Sequence, residues 1–206
     1  MQPRYTTGWS TSRRFESWHG GGSRRGLDRS IVRILLLMFS AVVMFGQDAQ
    51  YTKDAEMALP KNYREWVFLS SGIGMTYAST AGGNPNFENV FVNPAAYQAF
   101  LKTGTWPDKT VLILEVRRSD SKVSINKDGR VQTEVAAIEA HVKDSARGGW
   151  AFYGFGKSDT AKLIPKTADC YSCHQQSGAV DTTFVQFYPT LIEAAKKNAT
   201  YKETER

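Results

Sequence analysis

The sequence predicts an α+β domain built on a twisted antiparallel β-sheet flanked by helices. Strand patterns fill the middle of the chain, and helical patterns stand at the two ends of the domain. Neither an internal repeat nor a heptad run nor a long linker interrupts them.

The elements follow in order. "LPKNYREWVFLSSG" (59–72) reads as a short helix running into a strand. "SSGIGMTYASTAGGNPN" (70–86) is a loop by its glycine, serine and asparagine content. Its "GIG" is no phosphate cradle, because neither GxGxxG nor GK[ST] follows. "FENVFVNP" (87–94) alternates, with Phe87, Asn89 and Phe91 on one face and Val90 and Val92 on the other, and Pro94 stops it. "NPAAYQAFLKTG" (93–104) has a helix start and a glycine stop. "TVLILEV" (110–116) is nearly all apolar, as a central strand is, and "KDG" (127–129) is a hairpin turn before a strand from Val131 to about Val142. "WAFYGF" (150–155) is a further aromatic strand, and helical patterning returns over 182–197.

Charge removes one class of function. The net charge of +6 is concentrated in residues 1–46, where seven arginines face only Glu16 and Asp28. The remaining 160 residues carry 19 basic and 18 acidic side chains. That near-balance gives no electrostatic case for a nucleic-acid partner.

The basic segment has the form of a leader. Arg24, Arg25, Arg29 and Arg33 precede the uncharged apolar run "ILLLMFSAVVMF" (34–45). A basic flank followed by about 7–15 apolar residues is the signal-peptide pattern, and a spanning helix needs about 20. Residues 1–49 are therefore expected to be a leader that directs export to the periplasm or an equivalent compartment, with an uncleaved membrane anchor as the alternative. "SRRGLDR" (23–29) loosely resembles a twin-arginine signal, although Asp28 stands where an apolar residue is usual. Residues 50–206 form the expected mature domain.

"DCYSCHQQ" (169–176) holds both cysteines of the chain and one of its three histidines. C-x-x-C-H in an exported protein is the attachment signature of c-type haem. Thiols one helical turn apart can each add across a haem vinyl group, and a histidine beside the second reaches the iron. Cys170 and Cys173 are then the covalent anchors of one haem c, and His174 is the axial metal ligand. A disulfide at this spacing is strained and leaves the histidine unexplained. A thioredoxin-like pair needs a βαβ context that this sequence lacks. A zinc site needs four ligands, and only His141 is left to supply the fourth.

With these stretches in view the chain resembles the cytochrome P-460 family, which includes the cytochromes c′-beta. The resemblance covers about residues 59–197. It lies in "LPKNYREWV", "VFVNPAAYQAFLKTGTWPDKTVLILEV", "IEAHVKD", "GGWAFYGF" and "ADCYSCHQQ…FVQFYPTLIEAAK". It implies an antiparallel sheet flanked by helices, one haem c per chain, a five-coordinate iron and a homodimer. In the hydroxylamine-oxidising members a lysine is cross-linked to the haem. The best match to it here is Ala81, and no lysine occurs between Lys61 and Lys102. The cross-link is expected to be absent unless Lys102 or Lys109 approaches from elsewhere. The resemblance thus favours the c′-beta branch, whose apolar pocket, capped by phenylalanine, binds small diatomic gases.

Two more site residues come from the resemblance. Phe87 matches a distal-pocket phenylalanine, against the plain reading of a core aromatic. Glu139 best matches a distal carboxylate that relays protons. Alternation places Glu139 with Val131, Val135 and Ala137, so it points where apolar residues point. A carboxylate there is either salt-bridged or held for a function, and facing the iron it would have a raised pKa. The remaining question is the sixth position of the iron, for which His141, Met57 and Met75 are the candidates. Filled, it makes an electron carrier; open, it admits nitric oxide, carbon monoxide or a small nitrogenous substrate.

Overall fold

The chain's fold is organised by a five-stranded meander. The computed structural model describes residues 48–76 and 83–203. The meander comprises β3 (Val67–Ile73), β4 (Phe87–Val92), β5 (Val111–Asp120), β6 (Val131–Asp144) and β7 (Gly149–Gly154), antiparallel and adjacent in sequence order. A small second sheet of β1 (Gln50–Tyr51), β2 (Met57–Ala58) and β8 (Thr160–Ala161) is also antiparallel. The helices among the described residues are α1 (Pro94–Thr103), α2 (Asp169–Ser177) and α3 (Pro189–Lys197). The expected α+β class is what forms. The proposed leader lies outside the described residues except for Asp48 and Ala49.

Register sorts the side chains of the meander onto two faces. Val111, Ile113, Ile138, Ala140 and Val142 pack with Met57, Tyr63 and Tyr153 in one cluster. Val92, Leu112, Phe100, Trp106, Val185 and Leu191 build a second cluster on the opposite face, where α1 and α3 cover the sheet. Both clusters follow from the period-two alternation of strands in which each face is covered.

α1 shows why the helix predictions held where they did. Pro94 occupies its first turn, where no intrahelical N–H is needed, and Gly104 ends it at φ 69° with its N–H on the Phe100 carbonyl. The helical pattern read over 182–197 forms a helix only from Pro189. Proline keeps the residue before it out of the α region, and Tyr188 is accordingly extended at φ −113°, ψ 84°. What precedes is a turn and a short 3-10 segment, Val185–Phe187.

The alternation of β6 contains one correction. β6 slips register against β5 between Val116 and Arg117 and again between Arg117 and Ser119. Ala137 pairs with Val116 but Val135 pairs with Arg117, so Ala136 is an extra residue. Val135 therefore turns to the first cluster and does not share the face of Glu139.

Candidate functional site

α2 lies over the open end of the second face, and the two enclose a cavity of about 640 Å³. That is within the range of cofactor pockets. Val90, Leu112, Leu114 and Val116 supply an apolar sheet wall, with Phe152 from β7 beside them. Phe184, Phe187 and Tyr188 close the wall nearest α3.

Cys170, Cys173 and His174 all line this cavity. Both cysteines are free thiols on one turn of α2. His174 is held by the turn that follows the helix. Its Nδ1 lies 2.8 Å from the Thr182 carbonyl oxygen, which can only accept, so Nδ1 carries the proton. Nε2 is left with its lone pair. Burial lowers the His174 pKa against the opposing pull of the Thr182 carbonyl, keeping the ring neutral as a ligand must be.

The core fixes that turn. Trp106 Nε1 donates to Thr183 Oγ1 at 2.8 Å, and Thr183 Oγ1 donates to the Val180 carbonyl at 2.8 Å. Thr183 is 1% exposed. Gly178 permits the close approach: a Cβ there would lie 2.7 Å from the His174 carbonyl and 2.9 Å from the Thr183 nitrogen. Neither Thr182 nor Gly178 was singled out in the sequence. Thr182 acts through its backbone carbonyl, and a lone glycine after a helix reads only as a stop.

The candidate sixth ligands separate. Met57 is fully buried in the cluster on the other face of the sheet and is remote from the cavity. Met75 lines the cavity with its sulfur lying over Gly72. His141 also lines the cavity, but its ring is stacked on Phe152 at 4.0 Å and its Nε2 lies 3.3 Å from the Thr182 hydroxyl. Burial pushes its pKa well below the usual range, with His174 and Lys166 adding to the effect. His141 thus stands behind the Nδ1 side of His174, joined to it through Thr182.

Glu139 lines the cavity, and so does Glu88, which the sequence did not single out. Burial raises the pKa of each. Glu139 is solvent-exposed as well as lining the cavity, so its charge is disfavoured only in part by the apolar wall beside it. Phe87 is not among the residues that line the cavity. It pairs with Arg117 and shares the face of Asn89 and Phe91, while Glu88 and Val90 turn to the cavity. The aromatic lining comes from Phe152, Phe184 and Phe187 instead. Alternation in "WAFYGF" separates Phe152 from Tyr153 but does not say which face meets the cavity.

Neither Lys102 nor Lys109 lines the cavity; Lys109 Nζ is 2.6 Å from Asp144 Oδ1. Ala81 lies outside the described residues. Among the described residues no three His, Cys, Asp or Glu side chains converge on one point as a metal cage. The donor set fits a haem instead: two free thiols a turn apart, one oriented neutral imidazole and an apolar wall large enough for the macrocycle.

A family model described as Cytochrome P460 matches residues 60–185. No curated protein matches the chain. The matched stretch spans more than half of the chain and includes both thiols and the oriented histidine, so the chain belongs to the cytochrome P460 family and is a c-type haem protein of that type.

Proposed function

We propose that this is an exported mono-haem cytochrome whose iron keeps an open distal position for a small ligand such as nitric oxide or carbon monoxide. One observation carries the reading: the side chains best placed to close the sixth position are engaged elsewhere. His141 is on the Thr182 hydroxyl, Met57 is across the sheet and the Met75 sulfur is packed on Gly72. When bound, the haem supplies the open coordination position and a one-electron couple. The protein's part is to hold the iron through His174, anchor the macrocycle through Cys170 and Cys173, and exclude water with the Val90, Leu114 and Val116 wall.

A visible absorption spectrum of the protein matured in an exporting host tests this. The expected result is a covalent, high-spin c-type spectrum without the red shift of a cross-linked haem, and rapid carbon monoxide binding by the ferrous form. A low-spin, six-coordinate spectrum would overturn it and make an electron carrier, with Met75 and His141 the residues to replace.

A second reading, oxidation of hydroxylamine or a related nitrogen compound, is favoured by one observation. Glu139 and Glu88 line the cavity with raised pKa values, as proton acceptors for substrate oxidation should. Against it stands the absence of any lysine between Lys61 and Lys102. Rapid turnover of hydroxylamine with a red-shifted band would make it the better reading. The homodimer belongs to the same proposal, and sedimentation should give twice the mass of the mature chain.

A further inference from the structure

The charge lining the cavity is of one sign. Glu88, Glu139 and Asp169 line it, and among the described residues no lysine or arginine does. The stretch 77–82 contributes no charged side chain to change that balance. Glu88 on β4 stands opposite Val116, and Glu139 on β6 stands opposite Leu114. The two carboxylates therefore flank the apolar patch of Val90, Leu114 and Val116 from both sides.

The same sheet shows how this chain treats a carboxylate that is merely structural. Glu115, on the other face of β5, is 2% exposed and is met by the Tyr63 hydroxyl, by Arg64 at 2.5 Å and by Arg117 at 2.5 Å. Among the described residues neither Glu88 nor Glu139 has an ion pair or a hydrogen bond of that kind. Burial, which raises both pKa values, is uncompensated there. A carboxylate left unpaired against an apolar wall costs stability and is the kind of group found at functional sites.

We infer that this cavity selects its ligands by charge: Glu88 and Glu139 make it a site for neutral ligands and a poor one for anions. The inference rests on the haem reading above. A monovalent anion in the cavity would feel both carboxylates across a space that opens to solvent beside Glu139, where salt can reach it. At an effective dielectric of about 20, a unit charge within a Debye length of about 8–10 Å alters anion affinity by roughly tenfold or more. Diatomic gases and neutral bases pay no such penalty.

The test is an absorbance titration of the ferric holoprotein with azide and, in parallel, with imidazole at mildly alkaline pH. It is repeated for Glu88→Gln, Glu139→Gln and the double variant. Each single variant should bind azide roughly tenfold more tightly and the double variant more tightly still, with imidazole affinity held within about twofold. In the unmodified protein, raising the ionic strength should strengthen azide binding and leave imidazole unmoved, which needs no variant to fold. Azide binding that is insensitive to both salt and substitution overturns the inference. So does an equal gain for azide and imidazole, which would report a widened cavity. Failure of the haem reading itself is distinguishable, since it appears as the absence of a covalent haem band before any ligand is added.

Discussion

On neighbouring strands of one sheet, Glu115 and Glu139 face opposite ways and meet opposite environments. Glu139 is exposed to solvent beside the apolar cavity wall, with no ion pair among the described residues. Burial pushes the Glu115 carboxyl up, but hydrogen bonds from Tyr63, Arg117 and Arg64 outweigh that and leave its pKa lowered. A carboxylate with a lowered folded pKa adds stability above its unfolded value of about 4.3 and loses it as pH falls through the folded value. Glu115→Gln should therefore destabilise the protein by about 3 kcal/mol at neutral pH, since it removes the negative charge that two guanidiniums share. The gap to the unmodified protein should close in acid; thermal unfolding followed at neutral and acid pH checks both. A gap of equal size at every pH would mean that shape rather than charge is what the site requires. At this scale the sequence was legible where chemistry is written into a motif, as in Cys170, Cys173 and His174. It was not legible for the role of Phe87, which came from likeness while alternation gave only its face, nor for Glu88, which alternation places opposite Phe87 without naming the cavity side.

The haem-bearing helix owes its aim to the segment after it. Gly178 brings the Val180–Thr183 turn against the end of α2, and the turn offers the Thr182 carbonyl to His174. Backbone φ at Gly178 is an ordinary −70°, so conformational freedom is not what the position needs. It needs the missing Cβ, because the nearest atoms are backbone and cannot swing away. Gly178→Ala should therefore displace the turn and loosen His174. The expected outcome is a holoprotein with a changed Soret band and lower thermal stability, by about 1–3 kcal/mol as for other overpacking changes. An unaltered spectrum would show that the close approach does not govern the ligand. Element types were largely readable: α1 and β4 to β7 lie where periodicity and proline or glycine stops put them. The missed boundaries have local causes, Pro189 at the start of α3 and the extra residue in β6, and hydrophobic pattern alone reports neither.

Across the whole molecule, the two sheet faces divide the work. One face holds the first cluster and the Glu115 network, so it carries stability alone. The other shares its area between the second cluster and the cavity, so stability and ligand access compete there. The double slip in β6 lies between the two ends of the long β5–β6 ribbon. Its near end carries Leu114, Glu139 and His141; its far end is the hairpin through Lys127–Gly129. A ribbon with regular register passes any twist or shift at its tip along the full ladder. Two unpaired positions interrupt that ladder here, and strain from the tip is expected to be taken up there before it reaches the cavity. The hairpin is thereby free to vary in length and sequence, as a place to add a recognition loop or a tag. Inserting two residues between Asp128 and Gly129 should leave the haem spectrum and ligand affinity unchanged, whereas deleting Ala136 should disturb both.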